Sequence, residues 1–306
     1  MRLVFCGTAP FAVPSLRACA AHHDVAAVVT RPDRLGSRGR QAPRPVGDTA
    51  RALGLQVLAP ARIGAPEVVR DLLAMEPDCL VVAAYGQILP VALIEPPPHG
   101  AVNVHASLLP RWRGASPIAH AILAGDAETG VSIMRMEAGL DTGPVYATVR
   151  VPIDTDATTP TLTATLAGLG ASKLIAVLAT LEGGTAVASA QPEDGMTYAP
   201  RLGRVDGRVD WAVHSSVDVD RMVRALQPWP GVLAQLDGVE VQIQAGSPVD
   251  IAGGTAPGTL VAGEGESVVI AARAGGYRVD LITPPGRRAM APAAFLRGRR
   301  SGEAKR

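Results

Sequence analysis

Runs that are apolar almost throughout recur early in this chain, at residues 3–6, 25–30, 79–83 and 101–105. A strand wetted on one face alternates apolar with polar residues, whereas a strand covered on both faces reads as a continuous apolar run. Helical periodicity fills the gaps between them, over residues 11–21, 65–76 and 116–124. A longer helical pattern spans 158–181 and is stopped by Gly183-Gly184. Buried strands alternating with helices predict an α/β domain, a Rossmann-like parallel sheet clad in helices.

The texture then changes. A polar stretch leads into a short amphipathic helix at 218–226 and strands at 231–236, 239–245, 258–261, 267–272 and 278–282. Asp237-Gly238 and Gly275-Gly276 are hairpin signals between them. Short strands so closely spaced predict a small, OB-like β-barrel. The expected division is a first domain over 1–186, a linker over 187–203 and a second domain over 204–306, as befits 306 residues. The tail sets Arg287, Arg288, Arg297, Arg299, Arg300, Lys305 and Arg306 against Glu303.

Several function classes are disfavoured. The formal net charge is +1, so any pull on a polyanion must come from a local patch. Cys6, Cys19 and Cys79 sit in apolar or helical surroundings and read as small buried hydrophobes in a reducing compartment. No Cys/His spacing suggests a metal. The first residues are too short an apolar run for a signal peptide. Residues 79–94 are interrupted by Tyr85, Gly86, Gln87 and Pro90, which argues against a membrane span. The expected location is the cytoplasm. The turn Gly7-Thr8-Ala9-Pro10-Phe11 lacks the further glycines that let backbone approach a pyrophosphate, so NAD is not expected. No phosphate-cradling loop is present for ATP.

The chemistry is concentrated in two segments. Asn103 and His105 alternate with Val102 and Val104 near the carboxyl end of a buried strand, so period two puts both polar side chains on one face. In open parallel sheets the reactive crevice lies beyond those ends. Taken singly, each residue also reads as a hydrogen-bonded core polar group. Asp141, in Gly139-Leu140-Asp141-Thr142-Gly143, is placed to meet a histidine from a neighbouring strand, although an Asp in a Gly-rich turn is ordinarily a turn former.

Read together, these segments resemble the formyltransferase family that uses 10-formyltetrahydrofolate. The likeness runs from Gly7-Thr8-Ala9-Pro10-Phe11-Ala12 through Asn103, His105 and Ser107-Leu108-Leu109-Pro110 to Leu140-Asp141-Thr142-Gly143. It continues in Arg31-Pro32-Asp33-Arg34, Ala84-Tyr85-Gly86-Gln87-Ile88-Leu89-Pro90, Arg111-Trp112-Arg113-Gly114, Val209-Asp210-Trp211 and Pro228-Trp229-Pro230-Gly231. These words are closest to the branch of the family that acts on charged initiator tRNA.

The resemblance implies transfer of a formyl group from 10-formyltetrahydrofolate, a co-substrate, to the α-amino group of methionine on initiator tRNA. Asn103, His105 and Asp141 become the expected catalytic residues. Tyr85, Gly86, Gln87, Ile88 and Leu89, with Ser107, Leu108, Leu109 and Pro110, become the expected folate contacts. Ser107 has no nucleophilic role, because the amine is itself a good nucleophile. Residues 31–51 carry Arg31, Arg34, Arg38, Arg40, Arg44 and Arg51. The family uses a loop here to enter the acceptor stem, so Arg38 and Arg40 are the expected tRNA contacts. The 204–306 domain with its basic tail is expected to hold the tRNA backbone, and the protein to act as a monomer. This chain departs from the family pattern at Arg40-Gln41, where a lysine pair is usual, at Ala106, where glycine is usual, and at Arg201, where lysine is usual. None of these touches the trio.

Overall fold

The computed structural model describes residues 1–32, 44–261 and 263–303. The expectations for Arg38 and Arg40 therefore lie outside the described residues. In chain order the elements begin with β1 (Arg2–Gly7), α1 (Val13–His22), β2 (Asp24–Val29), α2 (Pro45–Ala52), β3 (Val57–Leu58), α3 (Pro66–Leu73), β4 (Cys79–Ala83) and α4 (Val91–Ile94). Next come β5 (Ala101–His105), β6 (Arg113–Gly114), α5 (Pro117–Ala124), β7 (Glu128–Arg135), β8 (Val145–Pro152), α6 (Thr159–Glu182) and β9 (Tyr198–Ala199). The remainder holds α7 (Ser216–Ala225), β10 (Val232–Leu236), β11 (Val239–Val249), β12 (Leu260–Val261), β13 (Val268–Ala271), β14 (Gly276–Thr283) and α8 (Pro292–Glu303).

Two compact units result, and neither is continuous in sequence. The first comprises Met1–Ile118, Ala127–Ile153 and Thr161–Pro200; the second comprises Ala119–Asp126, Asp154–Pro160 and Arg201–Arg306.

The first unit is built on a seven-stranded sheet of order β3-β2-β1-β4-β5-β7-β8. Strands β3 to β5 pair in parallel, as their unbroken apolar character predicts. Strands β7 and β8 join antiparallel, so the sheet is mixed at this edge. That edge needs no crossover helix between β7 and β8, because a hairpin-like loop at residues 136–144 connects antiparallel neighbours directly. Leu80, Val82, Val4 and Cys6 pack with Leu72, Leu93 and Tyr85 on one side of the sheet. Burial pushes the thiols of Cys6, Cys19 and Cys79 up to about 12.

Helix α6 is long and apolar enough to cross a membrane by length and composition. Here its Leu166, Gly170, Leu174 and Leu178 are buried in the fold. Gly170 lets it approach the sheet closely: a Cβ there would stand 2.9 Å from Val104 Cγ1 and 3.3 Å from Val131 Cγ1.

The second unit is an antiparallel sheet of order β10-β11-β14-β13-β12, curled into a half-barrel. Among the described residues no ladder joins β10 to β12. Register shifts in β11 at Ile243/Ala245 and Ala245/Gly246 bend that strand across β14. Asp237 and Gly238, both at positive φ (52° and 72°), make the tight turn that the Asp-Gly pair predicts. Part of the basic tail forms α8 (Pro292–Glu303).

Candidate active site

Strand β5 places Asn103 opposite Val82 and Met134, and His105 opposite Ser132. Both side chains reach Asp141. Asn103 Nδ2 donates to Asp141 Oδ1 at 3.4 Å, and His105 Nδ1 lies 3.7 Å from Asp141 Oδ2. The His105 side chain is 6% exposed and that of Asp141 14%. The three residues expected from sequence to act together are adjacent in space.

Asp141 arrives, as the sequence leads one to expect, from a loop that precedes another strand, β8. Because β7 runs against β5, its exit at Arg135 lies beside Val102, at the amino end of β5. The 136–144 loop therefore starts beside the amino end of β5 and brings Asp141 to both Asn103 and His105. Asp141 adopts φ +51°, a left-handed conformation that costs a non-glycine residue about 1–2 kcal/mol. Gly143 lies so tightly against the Arg135 carbonyl that no Cβ fits there.

The segment after β5, part of the Arg111-Trp112-Arg113-Gly114 word, completes the site with backbone groups to which the sequence assigned no role. His105 Nε2 is 2.9 Å from the Trp112 carbonyl. A carbonyl only accepts, so Nε2 carries a proton and Nδ1 is the nitrogen turned to the carboxylate. The Gly114 backbone N–H donates to Asp141 Oδ2 at 2.9 Å. Gly114 itself has φ +120°, and a Cβ would meet the Ala199 carbonyl at 2.7 Å. Gln191 Nε2 donates to the Asp141 carbonyl at 2.8 Å and to the Gly143 carbonyl at 2.7 Å. Backbone donors carry no side-chain signature, and Gln191 sits in a polar stretch without periodicity, so nothing in the sequence flags them.

The expected folate segments occupy the loops after β4 and β5. The side chains of Tyr85 and Leu89 turn inward and are buried, while Ile88 is 87% exposed. Gly86 takes φ +83°. Gln87 is tied down: its Oε1 accepts from Ile63 N–H at 2.9 Å, and its Nε2 donates to the Pro60 carbonyl. The Thr8 hydroxyl donates to the Tyr85 carbonyl at 2.9 Å, linking the first turn to this loop. In the other segment Ser107 is fully buried and its hydroxyl donates to the Arg111 carbonyl at 2.6 Å. Leu109 N–H donates to Ser132 Oγ, which donates in turn to the Ser107 carbonyl, while Leu108 is half-buried and Pro110 buried. Among the described residues, no three His, Cys, Asp or Glu side chains gather as metal ligands.

An amide donor and an imidazole facing one carboxylate, on a Rossmann-like sheet followed by a small β unit, suit a group-transfer enzyme. The chain belongs to the formyl transferase family: residues 1–178 match the family described as "Formyl transferase" and residues 201–300 match "Formyl transferase, C-terminal domain". It is 47% identical over 302 residues to the methionyl-tRNA formyltransferase of Xanthomonas campestris pv. campestris (strain 8004), covering 98% of each chain. It is 46% identical to that of Gluconobacter oxydans (strain 621H), covering 97% of each. In fold it is similar to WlaRD, a sugar 3N-formyl transferase, with a TM-score of 0.68 at 16% identity over 94% of this chain and 99% of that one. HypX from Aquifex aeolicus in complex with tetrahydrofolic acid gives a TM-score of 0.62 at 20% identity over 97% of this chain, which spans 47% of HypX.

Proposed function

We propose that this enzyme transfers the formyl group of 10-formyltetrahydrofolate to the α-amino group of methionine carried by initiator tRNA, supporting translation initiation. End-to-end likeness to enzymes named for that reaction supports the reading, and the meeting of Asn103, His105 and Asp141 gives it a chemistry.

The amine nitrogen attacks the formyl carbon, and negative charge collects on the formyl oxygen. As the carbon–N10 bond breaks, a proton leaves the amine and one is gained at N10. Asn103 keeps one amide hydrogen beyond the one given to Asp141, and that hydrogen serves the oxyanion. His105, whose Nε2 is held by the Trp112 carbonyl, faces the same charge with its ring beside Asp141. Asp141 accepts the amine proton, directly or through a water, and passes it on. Losing one oxyanion donor typically costs about 10²–10³ in kcat.

Tyr85 to Leu89 and Ser107 to Pro110 border the folate, mainly through backbone. Arg38 and Arg40 engage the acceptor stem, since arginine pairs bidentately with phosphate and base edges. Residues 1–186 carry catalysis and 204–306 hold the tRNA backbone, with the enzyme working as a cytoplasmic monomer.

The test pairs a formyl donor with charged initiator tRNA and, separately, with a nucleotide-linked amino sugar. Formylation of the tRNA alone is expected; formylation of the sugar alone overturns the reading. Asn103→Ala and His105→Ala are each expected to lower kcat about 10²–10³-fold while tRNA retention on filters stays unchanged.

A further inference from the structure

Asp141 holds an unfavourable backbone conformation, and its carboxylate must face two side chains at once. Its own carbonyl and that of Gly143 are both held by one amide, Gln191 Nε2, at 2.8 and 2.7 Å. The direction of that amide is fixed by its other end. Gln191 Oε1 accepts two hydrogen bonds from Arg113, from Nε at 3.0 Å and from the second guanidinium nitrogen at 2.7 Å. A guanidinium only donates, so the amide cannot be turned over without losing all four bonds. Arg113 is buried, 8% exposed, and its remaining guanidinium nitrogen donates to Met196 Sδ at 3.0 Å. It therefore has little freedom to swing away.

The same short segment serves all three partners. Trp112 offers its carbonyl to His105, Arg113 its side chain to Gln191, and Gly114 its N–H to Asp141. Arg113 and Gly114 are in turn zipped to Tyr198 and Ala199 as β6 and β9, a few residues beyond Gln191. Two stretches remote in sequence, 112–114 and 191–199, thus close around one carboxylate.

We infer that Gln191, oriented by Arg113, is a positioning residue for Asp141 and acts on the reaction only through that carboxylate. This rests on the formyl-transfer reading, in which Asp141 handles the amine proton. Displacement of a reacting group by about 1 Å can cost about 10²-fold in rate. A residue that works solely through another adds nothing once the other is gone.

The experiment is a double-mutant cycle in the full-length enzyme, with Gln191→Ala, Asp141→Ala and the pair, reading kcat and both KM values on charged initiator tRNA. Gln191→Ala is expected to lower kcat about 10²-fold with KM for the folate unchanged, and to add no loss in the Asp141→Ala background. Gln191→Glu, which keeps the bulk and removes both donors, is expected to match Gln191→Ala and guards against a variant that fails to fold. Additive losses, an unchanged kcat, or an effect confined to KM overturns the inference. Hydrogen exchange of the Gly114 amide supplies a readout that needs no turnover. Faster exchange in Gln191→Glu than in wild type is expected, and equal exchange overturns the inference. If wild-type protein leaves the tRNA unformylated, the proposed function falls, and the exchange measurement still judges Gln191.

Discussion

At the scale of single residues, the site separates what a side chain contributes by charge from what it contributes by conformation. Asparagine tolerates the left-handed region nearly as well as aspartate. Asp141→Asn should therefore keep the loop and the melting temperature close to wild type while abolishing proton acceptance, with kcat falling about 10²–10⁴-fold. A variant that melts early, with activity reduced only in proportion, would show that position 141 matters for folding and not for chemistry. The three cysteines make the opposite case. Their thiols are buried and held up to about 12, and reactivity belongs to the thiolate. Native protein is expected to resist a thiol reagent at neutral pH and to react at Cys6, Cys19 and Cys79 only after denaturation. At this scale periodicity sets Asn103 and His105 on one face, and the resemblance to the formyltransferase family joins Asp141 to them. Asn103 and His105 stand out because two polar residues interrupt an apolar strand at spacing two. The Trp112 carbonyl, the Gly114 N–H and Gln191 stay hidden, because backbone groups exist at every position and their meeting depends on tertiary closure.

Among the elements, α6 and α7 make separable predictions. The close approach of α6 depends on the missing side chain at Gly170, against Val104 of the strand that carries Asn103 and His105. Gly170→Val overpacks that contact and is expected to cost about 1–3 kcal/mol in urea unfolding, with kcat reduced as well. Helix α7 opens with a capping box: Ser215 Oγ accepts from Asp218 N–H, and Asp218 Oδ2 accepts from both Ser215 N–H and Ser215 Oγ. The Ser215 hydroxyl bond holds the Asp218 carboxyl below its ordinary range. A carboxyl depressed in the folded state contributes stability above its unfolded pKa, about 3.9, and loses it as pH falls through the folded value. Ser215→Ala is expected to cost about 1 kcal/mol at neutral pH, and the gap from wild type should narrow below about pH 4. Equal gaps at pH 3 and pH 7 would count against the pairing. Most of these elements were legible, since buried strands and capped helices announce themselves locally. Strand β3, two residues long, was not, nor was β7, for which no strand was expected and whose antiparallel direction is a property of the returning chain rather than of its own residues.

Across the whole molecule, the proposed function rests tRNA engagement on basic residues in two places, the 31–51 segment and residues 204–306. Phosphate contacts release counterions, so affinity for tRNA should fall linearly in a plot of log K against log salt. Arg38→Ala is expected to raise KM for tRNA and flatten that slope by about one unit while leaving the folate KM unchanged. A folate defect in this variant would contradict the assignment. The layout also bears on how the second unit can be handled. Residues 119–126 and 154–160 belong with 201–306, and the bonds are specific: Thr159 Oγ1 donates to the Ala225 carbonyl, and Arg224 donates to the Ala157 carbonyl. A gene trimmed to begin at codon 201 would thus encode a module lacking two of its own pieces.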